Sequence, residues 1–68
     1  MFITLNGKKR EIPDNFSLLQ LIEHVGQHPQ RVAVEVNREI IRRPQYESHL
    51  LQDGDEVEIL QFVGGGCY

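Results

Sequence analysis

The chain has 68 residues, of which 40% are apolar and 7% aromatic, with a net charge of −3 and a pI near 5.5. That is room for one small domain close to its stability margin. Cys67 is its only cysteine, which excludes disulfide staples, and no Cys/His spacing suggests a zinc site or any other bound metal. The acidic balance argues against a nucleic-acid partner. No apolar run approaches the about 20 residues of a membrane span, and the opening residues lack a signal-peptide pattern, so a cytoplasmic location without a membrane partner is expected.

The segment "MFITLNGKKREIP" predicts a hairpin. Phe2 to Leu5 are strand formers, and Asn6-Gly7 is a strong two-residue turn because both tolerate positive φ. The return strand runs to Ile12 and stops at Pro13, with Ile3, Leu5 and Ile12 facing the core. In "NFSLLQLIEHVGQHP" Ser17 and Gln20 form an S-x-x-Q capping box, and Phe16 is placed to staple against Leu21. Leu18, Leu21, Ile22 and Val25 share one face of a helix over residues 18–25, which Gly26 ends and Pro29 keeps from restarting.

"RVAVEVNREIIRRP" alternates, so Val32, Val34 and Val36 are the inward set and Ala33 and Glu35 the outward one. A turn near Asn37-Arg38 leads into a short strand at 39–42. "QYESHLL" predicts an irregular helical turn with Tyr46 and Leu50 on one side, and Asp53-Gly54-Asp55 a turn. The last strand is expected from Glu56 to Val63. Its phase buries Val57 and Ile59 and sends Leu60 and Phe62 outward, where two large apolar side chains suggest a docking patch; a local bulge would reverse that phase.

The resulting order, β-β-α-β-β-β, is α+β and resembles the β-grasp, or ubiquitin-like, arrangement: a mixed sheet of four to five strands with one main helix packed on one face. The last strand then lies in the middle of the sheet. Residues 1–63 make the domain, and 64–68 a glycine tail with a Cys-Tyr extension.

Glycine is the thinnest residue and imposes no sign on φ. Gly64, Gly65 and Gly66 therefore form a thread suited to a narrow channel, in which an enzyme could bring a terminal carboxylate to the α-phosphate of ATP. Three extended residues beyond Val63 reach about 10 Å. No Ser/His/Asp set, carboxylate pair or phosphate loop accompanies this thread, so intrinsic catalysis is not expected. His24 and His28 are four apart but separated by Gly26, which argues against a metal pair. Arg38, Arg42 and Arg43 read as a solvated edge that discourages sheet-to-sheet pairing. Glu56 and Glu58 are candidates for steering toward a basic partner surface.

The hairpin at Asn6-Gly7, "VAVEVN" with its short basic strand, and "LLQDGDEVEILQFVGGG" together resemble the thiamine-biosynthesis sulfur carrier family, ThiS, over residues 1–66. The resemblance implies a substrate-like protein rather than an enzyme, with no cofactor of its own. An adenylating enzyme of the ubiquitin-activating type would use ATP and magnesium on the terminal glycine. A persulfide donor would then supply sulfur, and the thiocarboxylate would pass it to thiazole synthase.

On this pattern Gly66 would carry the thiocarboxylate, Gly65 precedes it in the Gly-Gly pair, Gly64 takes a small-residue position, and Leu60, Phe62 and Val63 form the apolar approach. The departure is Cys67-Tyr68, since the family normally ends on the second glycine. Cleavage between Gly66 and Cys67 by a processing peptidase is the expected solution. A reactive Cys67 is the rival, but nothing nearby in sequence would lower its pKa. Two alternatives stay open: a carrier of the same design serving cysteine, molybdopterin or secondary metabolism, or a ubiquitin-like interaction module that carries no sulfur.

Overall fold

The computed structural model describes residues 1–62; the last strand ends at Gln61 rather than running on through Phe62 as expected, and Val63, the glycine thread and the cleavage point lie outside the described residues. The strands are β1 (Phe2–Leu5), β2 (Lys8–Glu11), β3 (Val32–Val36), β4 (Glu39–Ile41) and β5 (Glu56–Gln61), with helix α1 (Leu18–His24) between β2 and β3. They form one sheet in the order β2-β1-β5-β3-β4. β1 and β5 run parallel, and the remaining neighbours are antiparallel. This is the mixed, five-stranded β-grasp sheet, with β5 at its centre.

Helix α1 forms where its punctuation places it. The Ser17 hydroxyl accepts the Gln20 N–H at 3.1 Å, and the Gln20 side chain accepts the Ser17 N–H at 2.8 Å. The far end closes in a Schellman motif: Gly26, with φ of +81°, donates its N–H to Glu23, and Gln27 donates to Ile22. Val25 is thus the C-cap rather than the last helical residue. Leu18, Leu21 and Ile22 are fully buried against Ile3, Val34 and Val57 of the sheet. Truncating any of these large aliphatics to alanine costs about 2–5 kcal/mol. Phe16 packs against the same cluster and meets His24 edge-on, with ring centroids 5.7 Å apart.

Three local expectations are corrected. β2 stops at Glu11, although Ile12 is buried as expected, because the Ile12 N–H turns to the Met1 carbonyl. β4 ends at Ile41, and Arg42 takes the N-cap position, without a side-chain bond, of a 3-10 turn over Arg43–Gln45 that holds Pro44 in its first positions. Leu50 does not join Tyr46 in the core. It is 54% exposed, and Leu51 is buried in its place. The cause is an extended pairing: Leu50 bridges Ser17, and the Leu51 N–H reaches the Phe16 carbonyl at 2.9 Å. Extended backbone alternates its side chains, so only one of two neighbouring leucines can point inward.

Candidate functional site

The site is built on the sheet face turned away from α1. Cross-strand partners share a face, so the β3–β5 register sets Leu60 opposite Ala33 and Glu58 opposite Glu35. The phase expected for β5 holds. Val57 is fully buried and Ile59 nearly so, while Leu60 is 62% exposed and Phe62 54%. No bulge intervenes between them. Ile40, opposite Glu35 on β4, is 76% exposed and adds an apolar side chain that the edge-strand interpretation overlooked.

Beside the apolar end lies an acidic hollow of about 260 Å³ lined by Glu35, Arg38, Glu56 and Glu58. None of these carboxylates forms an ion pair among the described residues. Sequence alternation alone points Glu56 and Glu58 outward. Alternation marks Glu35 only as an outward residue, and its place beside Glu58 depends on strand register, which alternation does not supply. Arg38 reaches this hollow from the β3–β4 turn at φ of 71°, while Arg42 and Arg43 are exposed beyond β4.

The end of β5 is fixed by backbone bonds from β3. After the Val32–Gln61 pair the Phe62 N–H donates to the Arg31 carbonyl at 2.8 Å. Arg31 closes a short 3-10 turn over Pro29–Arg31, capped by His28, whose Nδ1 accepts the Gln30 N–H at 3.1 Å. His28 is therefore a capping residue, and His24 sits in the last turn of α1 against Phe16. Among the described residues no cluster of His, Cys, Asp and Glu is placed to hold a metal ion, and no helix is long and apolar enough to cross a membrane. Val63, Gly64, Gly65, Gly66 and the Gly66–Cys67 bond lie beyond the described residues.

In this arrangement a central strand carries exposed apolar residues at its end, with an acidic surface beside them. Residues 3–66 match the ThiS family. Over 66 residues the chain is 29% identical to the sulfur carrier protein ThiS of Escherichia coli, covering 97% of this chain and all of that protein. It is 35% identical over 66 residues to a thiazole synthase of Paramagnetospirillum magneticum, but spans only 20% of that protein's length. A thiazole synthase of Magnetococcus marinus is likewise matched over 20% of its length, at 36% identity. The crystal structure of a thiamine biosynthesis protein, ThiS, from Geobacter metallireducens superposes with a TM-score of 0.82 at 32% identity, covering 97% of this chain and all of that one. The chain belongs to the ThiS family.

Proposed function

We propose that this chain is a sulfur carrier for thiazole formation in thiamine biosynthesis, acting as a protein co-substrate rather than an enzyme. The observation that carries this proposal is the exit of β5: a central strand, with Leu60 and Phe62 exposed at its end, continues in sequence into Gly64, Gly65 and Gly66 in a chain of the ThiS family. Removal of Cys67-Tyr68 by a peptidase leaves the carboxylate on Gly66. That carboxylate attacks the α-phosphate of magnesium-bound ATP in an adenylating enzyme of the ubiquitin-activating type, and pyrophosphate leaves. The terminal sulfur of a persulfide then displaces AMP, giving an acyl disulfide. A second thiol cleaves it, leaving the thiocarboxylate on Gly66 and a disulfide between the two thiols.

Each step needs an unhindered acyl carbon at the tip of a thin peptide, and glycine meets that need. The names of the relatives support the acceptor. Two bacterial thiazole synthases contain a stretch similar to this domain within their own chains. The proposed docking surface is Leu60, Phe62 and Val63, flanked by Glu56 and Glu58 for steering.

Two measurements test this. Intact mass of the protein from its native cells should show a form lacking Cys67-Tyr68, part of it heavier by one sulfur-for-oxygen exchange. A version ending at Gly66 should support ATP–pyrophosphate exchange by the native adenylating enzyme, and one ending at Tyr68 should not. A population ending only at Tyr68 in cells making thiazole would remove the cleavage step. Failure of both versions in the exchange assay would remove the carrier function.

A further inference from the structure

Asn6 opens the β1–β2 turn in the left-handed conformation, with φ of 49°. Its side chain leaves its own hairpin and reaches the central strand. Oδ1 accepts the Ile59 N–H at 2.8 Å, and Nδ2 donates to the Ile59 carbonyl at 3.2 Å. Backbone pairing on this side of β5 has already ended. β1 meets β5 at Thr4–Glu56 and Leu5–Val57, and the last backbone bond is the Asn6 N–H to the Val57 carbonyl at 2.9 Å. In a parallel ladder the next acceptor for Ile59 would be the backbone carbonyl of residue 6. The turn carries that carbonyl away, and the Asn6 side chain supplies the acceptor and a donor in its place.

We infer that Asn6 is a positioning residue for carrier function: its amide extends the sheet by one rung, so that Leu60 to Phe62 leave from a strand held on both sides. The opposite side is held by β3 through Val32–Gln61 and by the Arg31 carbonyl. Ile59 is the last residue gripped from the β1 side, directly before the first exposed apolar residue. Without this grip the end of β5 hangs from β3 alone, and a partner must order it on binding. That cost falls on association and leaves the chemistry after docking untouched.

A second asparagine provides the control. Asn37, at φ of 52° in the β3–β4 turn, grips the opposite end of β5: its Oδ1 accepts the Glu56 N–H at 3.0 Å, and its Nδ2 donates to Asp55 at 3.0 Å. Asn6→Gly and Asn37→Gly each remove an amide while keeping the left-handed turn accessible. Asn6→Asp keeps the acceptor for Ile59 and loses the donor.

The functional half of this inference rests on the carrier proposal, so the experiment has two readouts. In the version ending at Gly66, Asn6→Gly should speed exchange of the Ile59 amide hydrogen at least about tenfold beyond Asn37→Gly of equal global stability. In ATP–pyrophosphate exchange with the adenylating enzyme, Asn6→Gly should raise KM roughly tenfold at unchanged kcat. Asn37→Gly should leave KM within about twofold of the parent, and Asn6→Asp, which keeps the acceptor but sets its second oxygen against the Ile59 carbonyl, should recover only part of the loss. An unchanged Ile59 exchange rate, or equal KM effects from the two glycine variants, overturns the inference. If the unsubstituted version supports no pyrophosphate exchange, the carrier proposal fails on its own, and the amide-exchange result still decides whether Asn6 grips the strand.

Discussion

Glu35 and Glu58 stand directly opposite each other across the β3–β5 pair, two carboxylates on one solvated face with no cation bound to either among the described residues. Like charges in directly opposed positions destabilise a sheet. Replacing one partner with the opposite charge should therefore strengthen the fold. Glu58→Lys should raise unfolding free energy by about 0.2–1 kcal/mol in chemical denaturation. The same change should slow association with the adenylating enzyme roughly tenfold at low salt, an effect that shrinks as ionic strength rises. Gain of stability with loss of encounter rate is the signature of a charge kept for recognition. An association rate indifferent to salt in the parent protein would remove steering by this face.

The buried carboxylate at the start of β5 has a different role. Asp55 is 8% exposed; its Oδ1 accepts from Asn37 Nδ2 at 3.0 Å, and its Oδ2 accepts the Gln52 N–H at 2.8 Å. Both oxygens face donors, which an ionised carboxylate satisfies and an amide cannot. Asp55→Asn places a donor against a donor in either orientation, and Asp55→Ala leaves two part-buried donors without their acceptor. Each should lower stability by about 1–3 kcal/mol. Thermal melting of the two variants checks this, and a loss below half a kilocalorie in both would mean that water replaces the carboxylate.

Local chemistry makes much of this fold legible in the sequence. The Asn6-Gly7 turn, the Ser17–Gln20 capping box and the valine alternation of β3 are short-range signals, and each appears where it was expected. The outward phase of Leu60 followed from unbroken alternation with Val57 and Ile59. What escaped depends on distant segments meeting. Asn6 and Ile59 are 53 positions apart, so nothing around Asn6 reveals that its amide completes another strand. The exchange of Leu50 for Leu51 in the core likewise follows from pairing with residues 16–17, not from the helical spacing within "QYESHLL". Glu35 joined the site only once register had set it beside Glu58.

The exposed apolar pair separates folding from docking. Leu60 and Phe62 contribute little to the core, being 62% and 54% exposed. Leu60→Ser and Phe62→Ser should each change stability by no more than about 0.5 kcal/mol. If these side chains fill a partner's surface, each should weaken binding to the adenylating enzyme by about 1–2 kcal/mol, roughly tenfold in Kd. Calorimetric titration of the version ending at Gly66 measures this. Unaltered affinity in the double variant would move the docking surface elsewhere on the sheet.

Tyr46 ties the stability of the fold to alkaline pH. Its ring is 4% exposed, and its hydroxyl donates to the Val32 carbonyl at 3.4 Å. Burial pushes the phenol above its ordinary pKa, and the nearby Arg43 guanidinium only partly opposes that shift. The folded state therefore keeps its proton at a pH where the unfolded chain has begun to lose it. Stability from this group is complete below about pH 10 and is lost as pH rises from there through the raised folded value. Tyr46→Phe has no proton to lose. At neutral pH it should be less stable than the parent by about 0.5–1.5 kcal/mol, the value of one hydrogen bond. Between about pH 10 and 11 the gap should narrow, because only the parent declines through this residue. Parallel denaturation curves at neutral and alkaline pH test this, and a constant gap would show that Tyr46 ionises equally in both states.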